Sequence, residues 1–433
     1  MKTIITIFFI FNLAYRALFA QWNAVDSSLN VWHESVFFTD SNTGYVSGET
    51  YTPQYHAVLK KTTNAGVSWF PLPIPPADTG EGIAFTDVLF TDNNTGFVVG
   101  GDGYTAGGLV LKTTNGGNSW FPLTLPNNNM LLRVYFVNSN TGYVSGYRTI
   151  IKTTDGGTTW VEQNPNSTSY LFQMSFTDVN TGYVAGFQGI RKTTDGGNNW
   201  ISQFSGASLF GIDFADANIG IAVGDNAKIL RTTNGGNNWG PINYTYSTCA
   251  LWRVRFMSSS AGYILGLCSQ ILRTSDGGAN WCYQTFPVNT DMSACFFTSN
   301  DIGYIVTAAS QLGLKGYILK TTNGGGNCIP IGIEPISNEV PDQFHLFQNY
   351  PNPFNPNTKI KFSLPLPSKG GVHEVKLIIF DILGREVAML VNEELKPGSY
   401  EIDFDGRNLP SGVYYYKLEA GDFKETRKMI LIK

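Results

Sequence analysis

The chain has 433 residues and a formal net charge of −4, with 14% charged residues, 14% aromatic residues and 47 glycines. Typical soluble domains carry about 25% charged residues, and this sparse, slightly acidic balance excludes the basic class that binds nucleic acid. The length predicts two or three units, and many glycines and aromatics with few charges suit short strands and tight turns rather than helices.

In chain order, the first twenty residues stand apart. Lys2 is followed by an apolar run over 4–11, and Ala20 precedes Gln21, the layout of a secretory signal peptide, although Arg16 and Leu18 make the cleavage region imperfect. Asn12 and Arg16 interrupt what would otherwise be a membrane anchor, since a span needs about 20 apolar residues. No other segment is long and apolar enough to span a bilayer, so the mature protein is expected to be soluble or surface-attached. Export makes Cys249, Cys268, Cys282, Cys295 and Cys328 candidates for disulfides, and their odd number leaves at least one unpaired within the chain. Their pairing stays open, and the absence of CxxC spacing speaks against a zinc site.

From residue 21 to 328 a two-part unit recurs seven times. One part is an eight-residue box, as in TTDGGTTW at Thr153, with copies at Thr62, Thr113, Thr193, Thr232, Thr274 and Thr321. Its last position is Trp69, Trp120, Trp160, Trp200, Trp239, Trp281 and finally Cys328, at intervals of 39 to 51 residues. The other part is Phe, five residues, Gly-Tyr, two residues and usually Gly, beginning at Phe38, Phe90, Phe136, Phe176, Phe214, Phe256 and Phe297. Each unit divides into four short strands: one ending at the Phe, a second beginning at Gly-Tyr, a third ending at Thr-Thr, and a fourth beginning at the Trp. Four strands per repeat at this period describe a propeller blade.

The third box position is Asp at Asp155, Asp195 and Asp276 but Asn at Asn64, Asn115, Asn234 and Asn323. A catalytic carboxylate would not tolerate that exchange, whereas a turn needs only a short side-chain acceptor, so the box reads as scaffold. Trp22 precedes Phe38 by sixteen residues, the offset that separates Trp120 from Phe136 and Trp160 from Phe176. Residues 22–25 therefore read as a fourth strand without its blade. Blade seven lacks its Trp, so the mature N-terminus is expected to supply that blade's outer strand and close the ring.

These motifs resemble the Asp-box repeats of bacterial neuraminidases and, more closely, the seven-bladed propellers of photosystem II assembly and stability factors. The resemblance covers residues 22–328 and implies an all-β fold; it is weak for function, because one fold hosts unrelated activities.

Residues 329–341 show no strong pattern and read as a linker. In 342–433, alternating strands such as Lys359-Ile360-Lys361-Phe362, separated by Pro and Gly turns, predict an immunoglobulin-like β-sandwich. Three blocks follow in order: NYPNPFNP from Asn349, DILGREV from Asp381 and LPSGVY from Leu409, before the closing KMILIK. They closely resemble the type A C-terminal sorting domain of the type IX secretion system of Gram-negative bacteria. That resemblance implies the type IX machinery as partner, and release or outer-membrane attachment at the cell surface.

Catalytic chemistry is thinly represented. The four histidines are His33, His56, His345 and His373, with no HExxH or other paired motif, and no Gly-Gly step continues into Gly-Lys-Ser/Thr. No catalytic, metal or cofactor residues are assigned, and no cofactor is expected. Arg191, Arg231 and Arg273 read as a repeated strand position before the Thr-Thr step, not as a converging carboxylate clamp. Asp87 and Asp213, near the start of the first strand in blades two and five, are the one candidate glycosidase pair.

Long inserts over 49–57, 71–84, 101–108 and 308–316 fall in blades one, two and seven, neighbours once the ring closes. Loops clustered on one sector of a repeat scaffold mark a candidate ligand face. Tyr51, Tyr55, His56 and Tyr104 are its inserted members, with Trp32, Arg133, Trp252 and Arg253 at the rim. The expected function is a monomeric, non-catalytic extracellular binding module for a protein or glycan, with an Asp-box glycoside hydrolase as the alternative.

Overall fold

The computed structural model describes residues 22–433 except 52–54, 76–81, 103–106, 164, 243–246, 285, 287, 310–313, 327–328, 332–335, 337–338, 368–370 and 407–408. The expected signal peptide lies outside these residues. By contact density the chain forms two units, 1–279 with 285–325, and 280–284 with 326–433. All regular structure among the described residues is β.

The first unit is the propeller. Blade three shows the pattern: Leu131–Phe136 pairs with Gly142–Gly146, which pairs with Ile150–Thr153, which pairs with Val161–Gln163. Call these strands a to d, from the centre outward. The a strands of neighbouring blades touch around the whole circle, blade seven against blade one included. Closure takes the expected form. Asn23–Leu29 pairs antiparallel with Lys315–Thr321 as strand d of blade seven. Trp22 is fully buried and meets Phe297 edge-on at 6.0 Å, the same contact that Trp69, Trp120, Trp160, Trp200 and Trp239 make with the Phe of their own blades.

Packing between blades explains both motifs. The Tyr of Gly-Tyr stacks on the Phe of the next blade, Tyr45 on Phe90 at 3.9 Å and Tyr304 on Phe38 at 4.0 Å. Its hydroxyl donates to a carbonyl in the next box: Tyr143 to Gly196, Tyr183 to Gly235, and Tyr304 to Ala65 across the closure. The preceding Gly lies under its own blade's Phe, where a Cβ at Gly142 would overlap the ring of Phe136. Within the box, Thr153 Oγ1 donates to Asp155 Oδ1 and accepts from Gly157 N, and Thr62 does the same with Asn64 and Gly66. Asp and Asn perform one task, so the box is scaffold.

The lysine before Thr-Thr also reaches the next box, as Lys152 Nζ does at the Gly196 carbonyl. Arg231 fills that position in blade five and reaches Gly277 O. Arg191 does not, because Lys192 holds the place in blade four; the three arginines are not one repeated position.

The second unit contains two sheets, ordered His345–Leu346, Asn357–Leu364, Gly398–Asp405 and Glu386–Leu395, His373–Asp381, Gly412–Ala420, Phe423–Leu431. One core containing Phe362, Leu377, Tyr416 and Met429 lies between them, the sandwich expected from the alternation. The Asn349 motif is tied into this fold, because Tyr416 Oη accepts from Asn349 N and donates to Phe347 O. The linker expectation for 329–341 is corrected at two points. Ile329–Ile331 is a strand paired with Trp281–Tyr283, and Ile336 N donates to Ser399 O. An alternating Ile-Pro-Ile sequence favours extended backbone, and an unpaired edge captures it.

Candidate functional site

Every a strand carries an irregular step four residues before its Phe, where the pairing register shifts. The residues there are Glu34, Thr86, Leu132, Phe172, Phe210, Trp252 and Ser293. A bulge turns its side chain out of the sheet's alternation, and six of the seven residues line one cavity at a mouth of the channel, with Phe210 packed against Trp252. In blades four, five and six these are aromatic. Trp252 stacks on Phe210 at 4.4 Å and meets Phe172 edge-on at 6.4 Å; Phe172 also meets the exposed Phe187 at 5.1 Å.

A cavity of about 650 Å³ opens at this mouth, walled by Trp32, Trp252, Phe172, Met130, Leu132 and Met292, with Glu34, Glu49, Arg133 and Asp291 as its charged members. A second cavity, of about 510 Å³, lies along the lower halves of the a strands. Arg133 lines both, and its Nη1 is held at 2.7 Å by the carbonyls of Thr86 and Leu132. Arg253 lines the lower cavity; its side chain is 14% exposed, Nε donates to Ser293 O and Nη2 lies 3.9 Å from Asp87. Burial lowers its pKa to about 10, with the Arg133 charge adding to the effect.

Asp87 and Asp213 are both buried and make matching contacts. Asp87 accepts from Ser35 Oγ of blade one and Val134 N of blade three. Asp213 accepts from Ser175 Oγ of blade four and Phe256 N of blade six. Each therefore stitches the blades on either side of its own. Gln173 adds a longer stitch, donating to Val254 O across blade five, where Gly211 leaves the space that a Cβ would close against Val254 and Arg253.

Glu49 is the one acid of the upper cavity with no ion pair and no hydrogen bond among the described residues, and it is 8% exposed. Burial, helped by the Glu34 charge, raises its pKa to about 8.

Of the residues expected at the ligand face, Trp32, Arg133 and Trp252 come together at the upper cavity. Arg253 lines the lower one and is not part of this wall, because its guanidinium turns to Asp87 and Ser293. His56 is exposed and apart from the lining. Tyr104 and the side chains of Tyr51 and Tyr55 lie outside the described residues. The insert over 49–57 is not a free loop: Glu49 pairs with Ala57, Thr50 with His56 and Tyr51 with Tyr55, lengthening the b–c hairpin. That extension places Glu49 at the cavity. The aromatic bulge residues Phe172 and Phe210 escaped the sequence reading, although their fixed offset from the motif Phe was visible in it.

Cys249 and Cys268 form a disulfide beside Trp252 and Leu267, joining the entry to strand a of blade six to that blade's b–c turn. Cys282 is also disulfide-bonded. Cys295 is a free thiol, which burial raises to about 12. Among the described residues no three His, Cys, Asp or Glu side chains are placed to share a metal, and no helix is long and apolar enough to cross a membrane.

Residues 348–433 match the family described as Secretion system C-terminal sorting domain, and residues 118–211 match Photosynthesis system II assembly factor YCF48. The solved structure of YCF48 bound to D1 peptide is similar, with 18% identity and a TM-score of 0.56 over 70% of this chain and 97% of that one. YCF48 from Cyanidioschyzon merolae gives 16% identity and 0.55, over 69% and 98%. The WD40 β-propeller domain of Doa1 gives 11% and 0.52, over 69% and 96%. No curated protein matches the sequence. At these identities the structural likeness shows the fold alone.

Proposed function

We infer that this chain, a YCF48-like propeller joined to a secretion-system sorting domain, is a non-catalytic binding module that works outside the cell. The observation that carries this reading is the aromatic-walled cavity at the mouth of the channel. A concave, mostly apolar site with a few convergent polar groups is the usual form of a binding site. The two aspartates, which both line the lower cavity, support the non-catalytic half, because each spends both oxygens on inter-blade hydrogen bonds. A polypeptide is the favoured ligand over a glycan: the similar YCF48 was solved with a peptide, and the cavity walls are apolar. Type IX export, followed by release or anchoring at the surface of a Gram-negative cell, is the route the sorting domain supports.

The test screens the purified mature chain against an extracellular peptide panel, a glycan array and chromogenic glycosides. Saturable binding without turnover, weakened by Trp252→Ala or Phe172→Ala, is the expected outcome. Glycoside turnover that is lost in Asp87→Asn or Asp213→Asn would make the protein an enzyme and overturn this reading.

A further inference from the structure

The charges around the upper cavity do not balance. Arg133 lies 3.9 Å from Glu34, and Arg253 lies 3.9 Å from Asp87. Asp291 sits at the rim, where its Oδ1 accepts from Cys268 N at 3.1 Å. Glu49 is left over: an acid nine-tenths buried, lining the cavity, with no cation and no hydrogen-bond donor among the described residues. A buried carboxylate without a partner is expensive to ionise, so Glu49 ionises readily only when a cation is brought beside it.

The walls define what kind of cation fits. Trp32, Trp252 and Phe172 present aromatic surface, and aromatic faces attract ammonium groups most strongly when water is excluded. Leu132, Met130 and Met292 supply apolar contact for a methylene stem. A divalent metal would need six or more oxygen ligands, which this lining does not provide. An anion would find Arg133 already held by two carbonyls and facing Glu34.

We propose that the upper cavity receives the side chain of a lysine from an extracellular polypeptide, its ammonium paired with Glu49 and its stem lying between Trp32, Phe172 and Trp252. The proposal rests on the binding-module reading and names the ligand chemistry of that same site. Glu49 explains why the pocket should be selective. The Glu34 charge on its own blade's a strand acts on it; Arg133 from blade three and Asp291 from blade seven line the same cavity, Arg253 lines the lower one, and His56 lies on the paired strand. Because the pKa of Glu49 stands near 8, the free site is mostly protonated at pH 6.5 and mostly ionised at pH 8.5. A cation binds the ionised form, so affinity rises with pH.

Calorimetry on the full mature chain tests this with the blocked pentapeptide Ac-Gly-Gly-Lys-Gly-Gly-amide and its norleucine and glutamate analogues. The lysine peptide should bind at pH 8.5 and weaken by more than about tenfold at pH 6.5. Glu49→Gln should weaken binding by about tenfold or more at pH 8.5 and flatten the pH profile, and the norleucine peptide should not bind. Circular dichroism of Glu49→Gln checks that the fold survives; Glu49→Asp, which keeps the charge, should retain part of the affinity. Equal binding of lysine and norleucine peptides, or preference for glutamate, overturns the proposal. If none of the three binds while the panel still yields a Trp252-dependent ligand that Glu49→Gln leaves unaffected, the lysine assignment fails and the module reading survives. If the panel yields no ligand either, both fall.

Discussion

At the scale of single residues, Glu49 and the box carboxylates show how burial decides the role of an acid. Glu49 is ordinarily an acid of pKa about 4.5, and in the fold it rises to about 8 through burial and the Glu34 charge. The folded state therefore holds this proton more tightly than the unfolded chain does. Stability from this group is complete below about pH 4.5 and is lost as pH climbs to about 8. Glu49→Gln should accordingly match wild type in thermal melting at pH 4.5 and exceed it by roughly 2–5 °C at pH 8; equal melting at both would mean Glu49 is solvated. Asp155 is the opposite case. The Thr159 N–H, the Thr159 and Thr153 hydroxyls and the Thr158 N–H hold its carboxylate well below the usual range. In other blades Asn does the same work, with Asn64 Nδ2 donating to Ser68 Oγ where Asp155 accepts from Thr159. Asp155→Asn should thus leave the melting temperature unchanged, whereas Asp213→Asn should cost about 1–3 kcal/mol in denaturant unfolding. Asp213 is buried and both its oxygens accept, and an amide cannot supply the second acceptor.

At the scale of elements, closure depends on a strand drawn from the opposite end of the propeller. Trp22 fills the place that the other blades give to their box Trp, packed with Phe297, Ile305 and Leu319. Trp22→Ala should destabilise the propeller by about 3–5 kcal/mol in denaturant unfolding, because it empties a fully buried site between blades six and seven. A wild-type midpoint would mean the strand is a loose tail. The Cys249–Cys268 bridge acts on a smaller element. It closes a segment with a sequence separation of 19, and a loop of that size is worth about 3 kcal/mol in the chain-entropy account. Cys249→Ala with Cys268→Ala should lower stability by up to about that amount and weaken ligand binding beyond it, since Trp252 and Leu267 lie on the joined segments.

At the scale of the whole molecule, the chain forms two compact units, and the match to the sorting-domain family lies within the second, which has its own core. Removing 342–433 should leave a folded propeller in the periplasm, detected by fractionation and protease protection; equal surface display by the truncated protein would refute a sorting role. The sequence by itself determined the repeat, the blade count, the closing strand and the sorting motifs. These rest on periodicity and on turn chemistry that acts over a few residues, so a linear reading reaches them. Tertiary structure alone decided that Asp87 and Asp213 are stitches, that Arg253 lines the lower cavity and not the upper one, and that Glu49 is buried without a partner among the described residues. Those roles depend on which side chains meet across blades tens to hundreds of residues apart, as Ser35 meets Asp87 and Tyr304 meets Ala65. The aromatic mouth belongs between the two. Its residues recur at a fixed offset from the motif Phe, but only the bulge in each a strand and the closed ring bring them together at one mouth of the channel.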